Sequence, residues 1–303
     1  MNELLLTGAF KYNTDQLNQI KQLDYNITYL ENELEELDLD FSKFTHVVCN
    51  SLFLYNDITQ FKSLKMIQVT SSGLDRLPLD YIIKKEIILK SANDIYSNPI
   101  AEFVITRILD IYKKTYTFYE QQKNKIWLKH KNLDELSNKK IAIVGYGNIG
   151  RNLAKKLKSF DAKIFAVGRR YNIDENVDEF IYSNEFDQNI NKFDIIILTL
   201  PLNDNTKGYI TYNTLLNMKE NAILVNVSRG QIINTSDLYK YLLLNPKVHI
   251  ILDVFENEPL NKDDDLWKYS NVYITPHNSY ASINNNEKLY NLIYNNLRQY
   301  NKL

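Results

Sequence analysis

Cysteine is almost absent from this sequence of 303 residues, which has a single one, Cys49. One thiol can form neither an internal disulfide nor a cysteine-based zinc site, so we expect a reducing compartment and no metal. Long apolar runs are also missing, since residues 195–202 are too few to cross a bilayer. The amino terminus lacks the basic segment of a signal peptide. The sequence therefore predicts a cytoplasmic protein without a membrane partner.

An excess of charge of either sign is missing as well. The chain has 36 Lys and Arg against 37 Asp and Glu. This balance does not resemble the basic footprint of a nucleic-acid-binding protein, and we expect no nucleic-acid partner. The hydrophobic fraction of 44% argues against disorder. The length favours two domains, each large enough to close its own core.

Apolar runs of strand length alternate with helical patterns along most of the chain. This alternation is typical of parallel sheets wound by helices. We predict an α/β fold in which a six-stranded Rossmann dinucleotide-binding domain is inserted in a smaller flavodoxin-like α/β substrate domain. The predicted strands are residues 4–7, 26–30, 46–50, 66–70 and 86–90 in the small domain, and 140–145, 163–168, 180–182, 194–200, 222–227 and 249–253 in the larger one.

The domain boundaries are expected near residues 98 and 276. Asn98 can cap a helix whose first position suits Pro99, and the stretch to Tyr116 is apolar on nearly every side, so it must be buried against the other domain or a second subunit. A last helical pattern over 282–300 is expected to return to the first domain. The substrate domain is then 1–97 plus 276–303, and the dinucleotide-binding domain is 98–275.

Three of the eight glycines fall within six residues, in Gly145-Tyr146-Gly147-Asn148-Ile149-Gly150. A bare G-x-G-x-x-G is weak evidence, but this one follows an apolar strand and opens a helical pattern. Gly145 would permit the turn, Gly147 would let the backbone approach a pyrophosphate, and Gly150 would allow close helix packing. With Asn148 and Ile149 they form the expected dinucleotide site at a helix N-terminus.

Two adjacent arginines end the second strand of this motif, where an acidic residue would hold the ribose of NAD. Arg169 and Arg170 are two of only seven arginines in the chain. A guanidinium matches phosphate oxygens with a fork of donors, so the pair favours the 2′-phosphate of NADP over NAD. A solvated loop is the alternative, and NAD stays open.

Four blocks in order resemble the D-isomer-specific 2-hydroxyacid dehydrogenase family over almost the whole chain. The resemblance implies that Arg229 grips the substrate carboxylate and keto oxygen, that His277 is the acid/base, and that Glu258 is its acidic partner. The blocks are Ser71-Ser72-Gly73-Leu74-Asp75, the glycine turn, Asn226-Val227-Ser228-Arg229-Gly230, and Leu252-Asp253-Val254-Phe255-Glu256-Asn257-Glu258-Pro259 followed by Thr275-Pro276-His277.

The chemistry of these three side chains agrees with the resemblance. Reducing a 2-keto acid needs a hydride from a nicotinamide and a proton delivered to the carbonyl oxygen. Histidine exchanges protons near neutral pH, and a neighbouring carboxylate favours the charged imidazolium. We therefore expect His277 to be protonated at pH 7, which suits a reductase. Arg229 alone could be a surface charge, and Glu258 before Pro259 could be only a turn.

The resemblance implies further contacts. Pro201, Thr206 and Val227 would lie beside the cofactor. Asp253 would contact the nicotinamide carboxamide, or, at the end of a buried strand, its carboxylate could instead accept hydrogen bonds from nearby backbone N–H groups. In the substrate domain, backbone N–H groups at Ser72, Gly73 and Leu74 could bind a carboxylate, or the glycine could belong to an ordinary loop. Tyr280 departs from the small residues that many members have after the histidine, which leaves the substrate open.

The sequence therefore predicts a homodimeric enzyme that transfers a hydride between NADPH, or NADH, and a small 2-keto acid to give a D-2-hydroxy acid. Two alternatives stand beside it. A nucleotide-sensing, corepressor-like protein on the same scaffold would bind cofactor with little turnover. A formate- or phosphite-oxidising enzyme is the second, and formate enzymes of this lineage have Gln where Glu258 stands, which argues against that branch.

Overall fold

The computed structural model describes residues 2–92, 94–171 and 174–301. The chain divides into two compact units. The first contains the residues up to Tyr96 and those from Ser282 onward, and the second is Ser97–Ala281. Residues 276–281 therefore group with the second unit, where the backbone N–H of His277 donates to the carbonyl oxygen of Asp253 at 2.8 Å.

The first unit is a parallel sheet with helices on its faces. Its strands are β1 Asn2–Thr7, β2 Tyr25–Leu30, β3 His46–Cys49, β4 Met66–Val69 and β5 Ile88–Lys90. Its helices are α1 Thr14–Lys21, α2 Leu52–Tyr55, α3 Leu79–Lys84 and, from the carboxyl-terminal segment, α10 Asn285–Tyr300, with short 3₁₀ turns at Phe41–Lys43 and Ile58–Gln60.

The strand order β2-β1-β3-β4-β5 is the flavodoxin-like order. Apolar side chains of β1 alternate between two buried clusters, because successive residues of a strand point to opposite faces. Leu5 packs with the helices of one face, while Leu4 and Leu6 pack against Leu289 and Ile293 of α10. The expected return of the last helix to the first domain is confirmed.

The second unit has a seven-stranded parallel sheet. Its strands are β6 Lys140–Val144, β7 Lys163–Gly168, β8 Glu179–Tyr182, β9 Ile195–Leu198, β10 Ile223–Asn226, β11 His249–Leu252 and β12 Val272–Ile274. Its helices are α4 Ser97–Tyr112, α5 Thr115–Lys123, α6 Asn148–Lys158, α7 Phe186–Asn189, α8 Tyr212–Leu216 and α9 Thr235–Leu244, with 3₁₀ turns at Ser183–Glu185, Ile190–Lys192, Gly230–Ile232 and Asp265–Lys268.

The order β12-β11-β10-β9-β6-β7-β8 is the Rossmann order extended by one strand. All four residues of β9 are 0% exposed, as expected for a central parallel strand covered on both faces. The strands β7 and β8 lie on one side of β6, and β9 to β12 lie on its other side. In open α/β sheets a ligand binds at the carboxyl ends of the two strands where the order switches sides in this way, here β6 and β9.

The α/β fold with two parallel sheets is confirmed, but three local predictions are wrong. The large sheet has seven strands, because the short, half-buried β12 was not predicted. The helix α4 begins at Ser97, so Asn98 lies inside it and bonds to Glu102 Oε1 at 3.0 Å. It ends at Tyr112, before Lys114 takes a left-handed φ of 51°.

Only one face of α4 is buried, and its apolar character extends into an exposed segment that follows it. We call residues 115–133 the arm. Large apolar side chains of the arm face solvent, and they are Tyr116, Phe118, Tyr119, Ile126, Trp127, Leu128 and Leu133.

Among the described residues, no helix has both the length and the apolar character that crossing a bilayer requires. Within the same residues, no group of three or more His, Cys, Asp or Glu side chains is arranged to hold a metal ion.

His46 fastens the end of α10 to the first sheet. Its Nε2 lies 3.0 Å from the carbonyl oxygen of Tyr300 and its Nδ1 lies 2.9 Å from Thr45 Oγ1. A carbonyl only accepts, so Nε2 carries a proton and donates it to the Tyr300 carbonyl. Burial lowers the pKa of His46, and Lys65 acts in the same direction.

This environment predicts that stability falls in acid. The folded state takes up a proton at His46 less readily than the unfolded chain, whose histidines titrate at about 6.5. The free energy of unfolding should therefore decrease as the pH falls below about 6.5. His46→Gln keeps an amide donor for Tyr300 and removes the titration, so chemical denaturation at several pH values should give a flatter profile.

Burial also lowers the pKa of His249 in the second unit, and His249→Gln serves as a second variant that separates the two contributions. An unchanged pH slope in His46→Gln would contradict the interpretation.

Candidate active site

The turn between β6 and α6 is shaped by Gly145. Its φ is +97°, a conformation that side chains disfavour. A Cβ there would lie 2.8 Å from the carbonyl carbon of Thr199. The glycine therefore lets the turn after β6 touch the backbone that follows β9, at the point where the sheet order reverses.

The other two glycines of the motif also have identifiable roles. A Cβ on Gly150 would lie 2.8 Å from the carbonyl oxygen of Gly145, so α6 could not pack as closely. A Cβ on Gly147 would meet no atom within 4 Å. Gly147 is exposed and caps α6 without a side-chain hydrogen bond. The first turn of α6, with Asn148 and Ile149, therefore faces open space that suits a pyrophosphate.

Arg169 and Arg170 follow directly on the last residue of β7, Gly168, and both are exposed. No ion pair joins either to a described carboxylate. The nearest acidic residue downstream that the structure describes, Asp174, already accepts from Arg151 at 3.4 Å and from the backbone N–H of Asn176 at 2.9 Å.

The segment after β9 forms a closed turn. The hydroxyl of Thr206 donates to the carbonyl oxygen of Pro201 at 2.6 Å and accepts from the backbone N–H of Asn203 at 2.9 Å. Pro201 is exposed. This turn follows Thr199, which packs on Gly145, so the structure places Pro201 on the same sheet edge as the glycine turn.

Arg229 lies in a tight turn after β10 that Asn226 organises. The Asn226 amide accepts from the backbone N–H of Ser228 at 3.1 Å and donates to the carbonyl oxygen of Arg229 at 2.9 Å. Val227 is buried in this turn. The guanidinium is half-buried, and its Nη1 donates to the Ser228 carbonyl at 2.8 Å.

Gly230 joins the Arg229 turn to the segment after β11. A Cβ on Gly230 would lie only 1.9 Å from the carbonyl carbon of Phe255 and 2.2 Å from the backbone nitrogen of Glu256. Glu258 is held on the same segment, since its Oε1 accepts from the Phe255 N–H at 3.0 Å. Backbone contact therefore brings the turn of Arg229 beside the segment of Glu258.

Glu258 and His277 form a direct pair, with Glu258 Oε2 2.8 Å from His277 Nδ1. A carboxylate only accepts, so Nδ1 carries a proton and Nε2 is left for chemistry. The two side chains are 37% and 35% exposed, which leaves the pair open to a small molecule. The edge of the Tyr280 ring lies against the imidazole, with the ring centroids 6.0 Å apart.

Asp253 lies directly after β11 and is fully buried. Its Oδ1 accepts from Thr275 Oγ1 at 2.7 Å and from the Asn278 N–H at 2.8 Å, and its Oδ2 accepts from the Ser279 N–H at 2.9 Å. Of the two alternatives for this carboxylate, the structure therefore shows the one in which it accepts hydrogen bonds from nearby backbone N–H groups.

Ser72, Gly73 and Leu74 belong to the first unit, in the turn after β4. No described residue accepts a hydrogen bond from the backbone N–H of any of the three. The Ser71 hydroxyl donates to the Gly73 carbonyl at 2.9 Å and thereby shapes the turn. The three residues lie at the carboxyl edge of the smaller sheet, directly after β4.

The sequence reasoning missed three residues that build the site, Asn226, Gly230 and Thr275. All three stand inside the sequence blocks that contain Arg229 and His277, so these blocks were the signal. What they do could not be predicted, because Gly230 and Thr275 each contact a segment that is distant in the sequence.

Comparison with known proteins shows the family of this chain. A sequence model described as the D-isomer specific 2-hydroxyacid dehydrogenase, NAD binding domain, matches residues 105–279. A glyoxylate reductase from Thermofilum pendens is 31% identical over 242 residues, which are 78% of this chain and 71% of that protein. A glyoxylate reductase/hydroxypyruvate reductase from Homo sapiens is 30% identical over 243 residues, 78% of this chain and 73% of that protein.

A solved structure shows the same relation. A D-isomer specific 2-hydroxyacid dehydrogenase family protein from Aeromonas salmonicida is 26% identical, with a TM-score of 0.79 over 99% of this chain and 96% of that one. The match over 105–279 contains the glycine turn, Arg229, Glu258 and His277. The chain belongs to the D-isomer specific 2-hydroxyacid dehydrogenase family.

Proposed function

We propose that this protein reduces small 2-keto acids to D-2-hydroxy acids, with NADPH as its preferred reductant. The observation that carries the proposal is the 2.8 Å pair of Glu258 and His277 on the sheet edge that also holds the glycine turn. Relatives named as glyoxylate and hydroxypyruvate reductases support the same reaction class.

In this reaction His277 delivers the proton to the keto oxygen from Nε2. Glu258 holds the ring through Nδ1 and so orients Nε2 for proton transfer. Arg229 binds the substrate carboxylate and keto oxygen, because only a planar, permanently charged fork of donors reaches two oxygen groups at once. The developing negative charge on the keto oxygen then lies between a guanidinium and an imidazolium.

The second unit fits a dinucleotide, since Gly147 and the uncapped first turn of α6 leave the space and the N–H groups that a pyrophosphate needs. When bound, NADPH supplies the hydride. We propose that Gly145, Gly147, Asn148, Ile149 and Gly150 hold the pyrophosphate and that Arg169 and Arg170 bind the 2′-phosphate. Pro201, Thr206 and Val227 would line the remaining cofactor surface.

For the first unit we propose the role of a substrate domain, in which the N–H groups of Ser72, Gly73 and Leu74 bind a carboxylate. A single buried cysteine supports a cytoplasmic location. The exposed apolar side chains of the arm support a homodimer, because patches of this kind on a folded chain mark interaction surfaces.

The reaction is tested by following NADPH and NADH oxidation with glyoxylate, hydroxypyruvate, pyruvate, and branched and aromatic 2-keto acids. We expect turnover with at least one acid. The variant His277→Asn should lower kcat by about 10²- to 10⁴-fold, because a positioned general acid contributes that much, while the Kd for NADPH stays unchanged.

Binding of NADPH without turnover of any keto acid would contradict the proposal and favour a nucleotide-sensing role. Near-normal kcat in His277→Asn would remove this residue from the reaction.

The cofactor preference is tested by replacing Arg169 and Arg170 with Ala together. Hydrogen bonds to charged groups contribute enough that the ratio of kcat/KM for NADPH over NADH should fall by about tenfold to a hundredfold. Arg298→Ala, an exposed arginine of α10, is the matched control and should leave the ratio unchanged. If the double variant also keeps the wild-type ratio, the two arginines do not read the phosphate.

The homodimer is tested with light scattering after size-exclusion chromatography. Wild type should have twice the mass of the chain. Replacing Tyr119 and Trp127, which are 58% and 94% exposed, with Ser should shift the protein toward monomer, because the apolar contact area is lost. Ile283→Ser removes an even more exposed apolar side chain outside the arm and should leave the mass unchanged. A monomeric wild type would contradict the proposed assembly.

A further inference from the structure

The carboxyl edge of the smaller sheet carries a positive charge that pairs with no described carboxylate. Arg76 is half-buried. Its one hydrogen bond to a described residue runs from Nη1 to the Ser51 hydroxyl oxygen over 3.3 Å. A guanidinium has five N–H donors and a permanent charge. Most of these donors, and the charge itself, are therefore left to solvent or to a ligand.

The place of Arg76 in the sheet is fixed by a short turn. The turn follows β4 and is closed by the N–H of Leu77, which donates to the carbonyl oxygen of Leu74 at 3.1 Å. Both leucines pack against the apolar cluster on one face of the sheet. Ser51 follows β3, the strand paired with β4. The guanidinium thus lies at the carboxyl ends of two neighbouring strands.

One carboxylate, that of Glu33, does contact Ser51, but donors of the protein already satisfy it. Glu33 is only 5% exposed. Its Oε1 accepts from the Ser51 N–H at 2.6 Å, its Oε2 accepts from the Thr7 hydroxyl at 2.6 Å, and the Asn50 N–H lies 3.1 Å from each oxygen. A buried carboxylate is tolerated when donors surround it in this way. Glu33 forms no ion pair with Arg76, so it does not neutralise the guanidinium.

A small carboxylate is the group that completes this environment. Removing a charge from water without an opposite charge is costly, and a carboxylate accepts two parallel hydrogen bonds from the fork of a guanidinium. The turn of Ser72, Gly73 and Leu74, for which we propose the binding of a carboxylate, directly precedes Arg76 in the chain. One edge of the first unit can therefore hold two carboxylates of the same small molecule.

We infer that Arg76 is a specificity-determining residue that binds a second carboxylate of the substrate, so that the preferred substrates are 2-keto acids with a carboxylate at each end. The carboxylate beside the keto group is then the one bound at Ser72, Gly73 and Leu74. This inference rests on the proposed function, and the last experiment below separates the two.

A hydroxyl group on the substrate is the rival chemistry for this edge. Asn50 Oδ1 is buried, and no described residue donates to it. A substrate hydroxyl could donate to this oxygen and accept from Arg76. It would leave the charge of the guanidinium unneutralised, however, and a charged acceptor forms the stronger hydrogen bonds with arginine. The observations at Arg76 therefore favour the carboxylate.

Matched pairs of keto acids test the preference in the wild-type enzyme. Oxaloacetate is compared with 2-oxobutanoate, and 2-oxoglutarate with 2-oxopentanoate, because each pair differs only by a methyl group in place of the second carboxylate. We expect kcat/KM to be higher by at least about tenfold for one of the diacids, the effect of hydrogen bonds between charged groups. Equal values within both pairs overturn the inference, and so does a higher kcat/KM for hydroxypyruvate than for either diacid.

The variant Arg76→Gln removes the charge and keeps an amide donor. The ratio of kcat/KM for the preferred diacid over its matched monoacid should fall by about tenfold to a hundredfold. The loss should appear mainly in KM, because the second carboxylate does not change during the reaction. Arg76→Lys keeps the charge without the fork and should retain part of the ratio. Arg298→Ala, an exposed arginine of the same unit, should retain all of it.

Ser51→Ala distinguishes binding from a purely structural role of Arg76. This variant removes the hydrogen bond between the two residues and leaves the guanidinium in place. If Arg76 only ties the ends of β3 and β4 together, Ser51→Ala and Arg76→Gln should have the same effect, and it should be the same for every acid. We expect instead that Ser51→Ala keeps most of the preference for the diacid. Equal ratios in the two variants contradict the inference.

Calorimetry with unreactive acids gives a readout that needs no turnover. Glutarate and pentanoate, which have no keto group, are titrated into the enzyme saturated with NADP. Glutarate should bind at least about tenfold more tightly in wild type, and Arg76→Gln should abolish the difference. Equal Kd values in wild type overturn the inference. Absence of turnover with every keto acid would instead refute the proposed function, and calorimetry alone would then decide the role of Arg76.

Discussion

Parallel strands send all their carboxyl ends to one edge of a sheet, and the candidate site depends on this constraint. The glycine turn follows β6, Arg229 follows β10, Asp253 follows β11 and His277 follows β12. The glycine turn and His277, the first and the last of these segments, are more than a hundred residues apart in the chain. They meet because β12, β11, β10, β9 and β6 are successive neighbours in the sheet.

Contacts between backbones bring the loops on this edge together. Gly145 lets the turn after β6 touch the backbone at Thr199, and Gly230 lets the turn of Arg229 touch the backbone at Phe255. A Cβ atom at either position would clash with the backbone of the neighbouring loop, so the two loops would have to move apart. The glycines thus set how closely the loops of the candidate site approach one another.

Two carboxylates on this edge have different environments. Glu258 is part exposed and accepts from an imidazole. Asp253 is buried and accepts from backbone N–H groups of the loop that carries His277. Burial and the type of donor thus differ between the two carboxylates, although the residues are only five positions apart in the sequence.

The sequence was sufficient for the fold class, because runs of apolar residues in strand-length blocks are a local signal. It also predicted the glycine turn, Arg229, Glu258 and His277 as site residues, because each stands in a motif whose residue types suit one chemistry. It did not predict β12, whose three half-buried residues are too few to show a pattern. It also placed the end of α4 too late, since the left-handed turn at Lys114 has no glycine to mark it.

The sequence alone left two uses open for Asp253 and described Gly230 only as part of a motif. Only the folded chain decided which atoms these residues meet, since their partners at Ser279 and Phe255 come from other segments of the same edge. Residue types and their spacing determine which chemistry is available and where strands and helices form. Which loops touch, and which carboxylate is buried, depends on the order in which the strands assemble, and that order is set by packing over the whole sheet.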